Sequence, residues 1–316
     1  MRLWEGQPVR VREKKVGKAD KGALVGIGLV LLAFTILPVL DGIAKLMGER
    51  FHPLQITWGR YAFNMLVLVP LVLPRFGLRV LTPPRLGLQV LRGLCLLMAT
   101  VLFFTALMYL SMAETLALAF VYPLIVTLAA PAVLGERLGA ARIATALVGF
   151  LGALLIIRPG AAVFQPASLL AFSTAFVFAV YIMLTRKLAG LAPHLHSLFF
   201  TAFVGAIVMS PIMPFVWSPM SWPDWLGFLA IGTIAAIGHL LLLRAYERAP
   251  ASVLAPLGYF EIVSTVAIGW LLFGDLPDGW TWAGIAVIVA SGIFVTLRTS
   301  ERARQVTPEP EEAAAG

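Results

Sequence analysis

Charge is scarce in this chain, and cysteine scarcer still. Of 316 residues only 13% are charged and one is a cysteine, while 60% are hydrophobic. A soluble domain needs a polar skin, and a chain with mean hydropathy +0.91 cannot supply one. The single thiol, Cys95, excludes an intramolecular disulfide and a thiolate metal cluster, and its place in an apolar segment indicates inert packing. His194 and His196 stand in a short loop without a companion ligand, so no metal site is expected. Also missing are the metalloprotease helix motif, the phosphate-cradling glycine loop and the nucleophile elbow. No catalytic residue and no resident cofactor are therefore expected, and ATP hydrolysis is not intrinsic to the chain.

What the chain does have is a succession of apolar runs, each long enough to cross a hydrocarbon core about 30 Å thick. They read as helices, not as alternating barrel strands. Breaks at polar, Pro- or Gly-bearing clusters give ten spans: 22–47, 53–74, 86–110, 113–134, 140–158, 166–188, 195–217, 223–246, 250–273 and 279–298. The fold class is an all-α integral membrane protein. Residues 1–21 form a basic tail behind an uncleaved first helix, and 299–316, mixing charge with Pro and Ala, read as a disordered tail.

The net charge of +8 is an orientation signal, not a nucleic-acid one. Lys and Arg crowd one side: the N-terminal tail, then Arg75, Arg79, Arg85, Arg137, Arg142, Arg186, Lys187, Arg244, Arg248, Arg298, Arg302 and Arg304. Only Lys45, Arg50 and Arg158 fall near the other face. Ten helices with both termini in the cytoplasm satisfy that split. The loop "WSPMSWPDW" on the outer side has no Lys or Arg and carries three tryptophans as interface anchors.

The two halves repeat one design. "ALMYLSMAETLALAFVYPLIVTLAAPAVLGE" from Ala106 lies over "AYERAPASVLAPLGYFEIVSTVAIGWLLFGD" from Ala245, setting Gly135 on Gly274 and Glu136 on Asp275. Upstream, Leu54 falls on Leu195 and Pro70 on Pro211. Five helices per half is an odd number, so the second half (159–298) enters the membrane opposite to the first (22–158). Such inverted repeats place a site near the midplane between them.

A membrane ionisable group costs at least a few kcal/mol unless paired or facing a wet cavity, so each one needs a reason. Asp41 and Lys45, in "LPVLDGIAKLM", are one turn apart and can pair, either as a structural ion pair or along a solute path. Arg60, flanked by Trp58 and Tyr61, cannot shed its charge and must meet an acid such as Asp41, a carbonyl end or an anionic solute. Glu261 lies near mid-membrane, a position suited to carrying protons or to locking helix to helix. His239 either relays protons or bonds a neighbouring helix. Pro123, Pro131 and Pro256 should loosen helices 4 and 9, which with Tyr122 and Tyr259 would wall a cavity. Trp270 is a further stacking candidate, whereas Glu136 and Asp275 read as boundary anchors.

The paired segments ending in "LGE" (134–136) and "FGD" (273–275) resemble the two EamA modules of the drug/metabolite transporter superfamily. The stretch "DGIAKLMGERFHPLQITWGRYAF" is similar to helices 1 and 2 of one bacterial branch, with Asp41, Lys45, Gln55 and Arg60 at matching positions. The likeness spans residues 22–298. It implies a secondary transporter of the bacterial inner membrane, moving an amino acid or related metabolite by alternating access, proton-coupled or by exchange, or importing S-adenosylmethionine, riboflavin or a similar compound. It implies a small-molecule substrate and a lipid surround, with helices 5 and 10 as scaffold or homodimer surface. Thr201 stands where the first repeat has Arg60, so the arginine is not duplicated. A membrane-embedded enzyme or a non-transporting scaffold subunit are the rivals from other classes.

Overall fold

The computed structural model describes residues 21–134, 140–158, 160 and 164–306. The N-terminal tail, Gly135, Glu136 and Arg137 lie outside the described residues. Among those described the chain is helical throughout, with no strand.

Helices 1, 2 and 3 are Lys21–Met47, Pro53–Phe76 and Leu86–Leu107. Helix 4 is broken into Met112–Ala119 and Tyr122–Leu134, and helix 5 is Ala140–Ile157. Helices 6 and 7 are Ala167–Lys187 and His194–Met209, the latter continuing through a 3-10 turn into Met213–Val216. Helix 8 is Trp222–Tyr246. Helix 9 begins as Ala251–Leu254, tightens to a 3-10 turn over Ala255–Tyr259 and resumes as Phe260–Phe273. Helix 10 is Gly279–Val306. Eight of these are long and apolar enough to cross a membrane, and the shorter apolar helices Ile143–Ile157 and Gly279–Phe294 bring the set to ten.

The irregularities follow from the sequence. The break in helix 4 falls at Phe120 and Val121, where Pro123 cannot donate to the carbonyl one turn back and its ring crowds that carbonyl. Pro256 sits in the 3-10 turn of helix 9 for the same reason, so the two broken helices occupy corresponding places in the two halves. Helix 4 begins with a reciprocal capping box: Ser111 accepts from the Glu114 amide, and Glu114 Oε2 accepts from the Ser111 amide. Helix 10 continues past Arg298 into the segment expected to be a disordered tail, where "SERARQ" is rich in good helix formers.

The packing shows an inverted repeat directly. Helix 1 packs on 8 and helix 6 on 3; helix 1 on 9 and helix 6 on 4; helix 2 on 8 and helix 7 on 3. Advancing every number by five turns each contact into its partner. Helix pairs 2 and 7, 4 and 9, and 5 and 10 map onto themselves and mark the pseudo-two-fold axis. Most of the interhelical contact thus crosses between halves. Small residues permit the closest approaches: a Cβ on Gly59 would strike the fully buried Phe228 ring, and Gly152 and Gly284 each set their backbone against the other helix.

The described helix ends fall on two faces. One carries the ends at Met47, Leu107 and Phe273; the other carries Arg75, Arg79, Arg85, Arg186, Lys187, Arg244 and Arg248, and is called the arginine-rich face below.

Candidate functional site

Helix 1 turns Asp41 inward. One flank of the helix meets helix 8, where Leu37 lies against Gly238, and the other meets helix 9, where Gly42 lies under Ile268 and Leu272. Asp41 projects between these flanks, away from the outward stripe of Leu32 and Leu46. It sits about 9 Å from the helix end at Met47.

Helix 2 turns Arg60 into the same interior. On its flanks Gly59 meets Phe228 of helix 8, and Tyr61 lies against Gly205 of helix 7. Arg60 donates from Nη1 to Thr100 Oγ1 of helix 3 at 3.2 Å, and Tyr61 shares the same hydroxyl at 3.0 Å. The guanidinium lies 5.6 Å from the Phe104 ring centroid, a cation–π contact. No carboxylate among the described residues is within ion-pair distance of it. Asp41, Glu261 and His239 are nonetheless all within electrostatic reach of Arg60, and Asp41 and Glu261 of each other.

Glu261 lies about 18 Å from the end of helix 9 at Phe273, on the side that meets helix 1. Tyr122, at the restart of helix 4, is within electrostatic reach of Glu261 and packs edge-on against Phe178 of helix 6 at 4.8 Å. Phe178 in turn stacks on Tyr181 at 5.4 Å. His239 bonds the Ala235 carbonyl of its own helix at 2.7 Å and lies closer to the arginine-rich face. One interior thus gathers Asp41, Arg60, Glu261, His239 and Tyr122 from both repeats.

Four expectations are corrected. Lys45 does not pair with Asp41: its ammonium donates to the Leu110 carbonyl at 2.7 Å and meets Asp275 at 3.5 Å, because the 3–4 and 9–10 loops close over the end of helix 1. Trp58 is two residues from Arg60, about 200° around the helix, and so leaves on the other side. There it donates to Ser210 Oγ at 3.1 Å and packs on Trp217. Tyr259, in the 3-10 turn, points toward helix 10, its hydroxyl against Gly292 and its ring 5.6 Å from Phe120. Trp270, 55% exposed, lies with Val263 on the side of helix 9 opposite Glu261, an outward, lipid-facing stripe.

The face opposite the arginine-rich one is tied shut by ion pairs between helices: Lys45 with Asp275, Arg50 with Asp224 at 2.8 Å, and Arg158 with Asp278. Gln55 adds a two-way bond to the Ser218 backbone, accepting its amide at 2.8 Å and donating to its carbonyl at 3.0 Å. Asp278 also caps helix 10 through the Thr281 amide. Arg158, then Thr281, hold the Asp278 carboxyl down at about 2. An open polar depression of roughly 380 Å³ lies on this face, lined by Lys45, Leu110, Ser111, Glu114, Asp275 and Asp278 among others. On the arginine-rich face, Arg244 pairs with Glu247 one helix turn on.

A second buried arginine is absent from the sequence-derived candidates. Arg92, 5% exposed in helix 3, donates from one terminal nitrogen to Ser197 O and Thr201 Oγ1 of helix 7, both at 2.8 Å. It satisfies the same rule as Arg60, a charge inside an apolar run, and lies just beyond the arginine-studded 2–3 loop.

Comparison with known proteins places this architecture. The model of the EamA-like transporter family matches twice, over residues 24–158 and 165–297. The chain belongs to that family. It is a multi-pass membrane transporter, and the expectation of a carrier instead of an enzyme stands on the family. It is 29% identical over 278 residues to an S-adenosylmethionine uptake transporter of Rickettsia conorii, covering 88% of this chain and 94% of that one. It is 30% identical to a riboflavin transporter of Vibrio cholerae (78% and 83%) and 27% identical to a pseudopaline exporter of Pseudomonas aeruginosa (86% and 95%). A solved crystal structure, 22% identical, superposes with a TM-score of 0.61 over 89% of this chain and 99% of its own, a likeness of fold alone.

Proposed function

We propose that this transporter works by alternating access in the bacterial inner membrane and carries a zwitterionic metabolite with an extra positive charge, a compound of the S-adenosylmethionine type. The supporting observation is the composition of the shared interior: one guanidinium, Arg60, within electrostatic reach of two carboxylates, Asp41 and Glu261. With both acids ionised that set sums to one negative charge. A solute with one carboxylate and two cationic centres complements it group for group, its carboxylate on Arg60 and its cations on Asp41 and Glu261. Tyr122 and Phe178, both partly exposed, offer rings for a base or a sulfonium. A neutral solute would leave the net negative charge of that set unbalanced in a site of low dielectric, which counts against the riboflavin reading.

The arginine-rich face lies in the cytoplasm, as the positive-inside rule requires, with both termini on that side. The ion-paired face is then external, and the described conformation is closed toward the outside. Glu261 exchanges a proton for the solute's cation, and His239, nearer the cytoplasm, passes protons to it.

Counterflow of labelled S-adenosylmethionine into proteoliposomes loaded with the unlabelled compound tests the reading. Wild-type protein should accumulate label, Arg60→Gln should not, and Glu261→Gln should lose the pH dependence of net uptake. Folded protein that exchanges neither S-adenosylmethionine nor any amino acid contradicts it.

A further inference from the structure

We infer that Arg92, with Gln89 beside it, forms a second anion subsite on the cytoplasmic half of the pathway, where the solute's carboxylate rests after leaving Arg60. The inference rests on the transport reading above but stands on its own geometry.

Both bonds of Arg92 leave from a single terminal nitrogen and go to neutral oxygens. Its Nε has no partner, and no carboxylate among the described residues forms an ion pair with it. Gln89, fully buried one turn away on the same face of helix 3, leaves both its amide oxygen and its amide nitrogen without partners. A permanent charge and a bare amide side by side are an expensive combination in a protein interior, and a packing role would not require either. An anion placed between them would satisfy the guanidinium and the amide N–H together. Apolar replacements of similar volume would pack helix 3 on helix 7 without any such cost.

Position gives the pair its role. Arg60 sits about 10 Å from the outer end of helix 2, and Arg92 about 9 Å from the cytoplasmic end of helix 3. In a core about 30 Å thick these are two levels of one wall, separated by roughly 10 Å. The wall is continuous: Arg60 and Tyr61 meet at Thr100, and Tyr181 of helix 6 is within electrostatic reach of both Tyr61 and Arg92. Thr201, which fills the repeat position of Arg60, is itself a ligand of Arg92. The cation missing from helix 7 of the second half is thus supplied from helix 3 of the first, and the pathway has an arginine on each side of its midplane.

Thermal unfolding of the purified full chain, titrated with S-adenosylmethionine, L-methionine and their decarboxylated counterparts, tests the subsite beside the counterflow assay. The carboxylate compounds should stabilise wild-type protein at concentrations about tenfold lower than the decarboxylated ones. Arg92→Gln should weaken carboxylate binding about tenfold or more, Arg92→Lys should recover part of it, and Gln89→Leu should weaken it several-fold. If Arg92→Gln fails to fold, Arg92→Lys and Gln89→Leu carry the comparison. Unchanged affinity in all the variants that fold, or equal binding of the decarboxylated compounds, overturns the subsite while leaving transport intact. Stabilisation by no carboxylate compound overturns it as well. Carboxylate binding that depends on Arg92 in a protein showing no counterflow would keep the subsite and overturn the transport reading.

Discussion

Lys45 closes the corner of helices 1, 4 and 9 on the ion-paired face, and replacing it should open that corner by a calculable amount. Lys45→Met keeps the length of the side chain and removes its charge. The bond lost to the Leu110 carbonyl, 2.7 Å long and part-buried, has an ionised donor and is worth about 1.5–3 kcal/mol. The contact with Asp275 is longer, at 3.5 Å, and its carboxylate is 42% exposed, so it adds at most about 1 kcal/mol. Water in the adjoining depression can reach the freed carbonyl, which brings the net loss to about 2 kcal/mol. That is a factor of about 30 in the opening equilibrium. Amide hydrogen exchange in lipid nanodiscs reads this equilibrium directly. Residues 108–116 and 270–276 should exchange about 30-fold faster in Lys45→Met, and no more than about fivefold faster in Asp275→Asn. Equal acceleration in the two variants, or none in Lys45→Met, would show that the carbonyl bond is not what holds the corner.

Three further outcomes follow from the packing. Gly59→Ala drives a methyl group into the fully buried Phe228 ring and should lower stability by about 1–3 kcal/mol, whereas Gly28→Ala, with open space around it, should be neutral or slightly stabilising; thermal unfolding compares them. Asp278 has its folded carboxyl held at about 2, below the unfolded value of 3.8, so its stabilisation is complete above about pH 4 and is lost as pH falls through 2. An acid unfolding series on wild-type and Asp278→Asn protein should therefore show a gap near neutrality that closes in that window. Trp270→Ala should leave solute affinity within about twofold of wild type, and a tenfold loss would return that side chain to the pathway.

Much of the architecture was readable from composition alone, because a bilayer admits few solutions: apolar runs must be helices, and an odd number per repeat must invert. The inward direction of Asp41, Arg60 and Glu261 was readable too, since a charge in lipid has nowhere else to go. Rings were the failures. Trp58, Tyr259 and Trp270 are amphipathic, equally at home against lipid, against a neighbouring helix or in a cavity, so type and depth do not fix their direction. Trp58 and Arg60, two residues apart, leave helix 2 on opposite sides, and only the helical period tells them apart. The Asp41–Lys45 pairing failed because spacing along a helix is silent about loops that fold over its end. Asp275, 230 positions away in the chain, competes for the same ammonium. Arg92 was missed beside the arginines of the 2–3 loop, although it lies inside the 86–110 span and meets the rule that singles out Arg60.

The central claim is that polar groups from both repeats face one aqueous path. Single cysteines at Asp41, Arg60, Glu261 and Trp270, introduced with Cys95 replaced by alanine and treated with a membrane-impermeant maleimide, test it most directly. Labelling of the first three, with Trp270→Cys unreactive, is the expected pattern. Inert thiols at positions 41, 60 and 261, or a thiol at 270 that reacts as readily as they do, would contradict it.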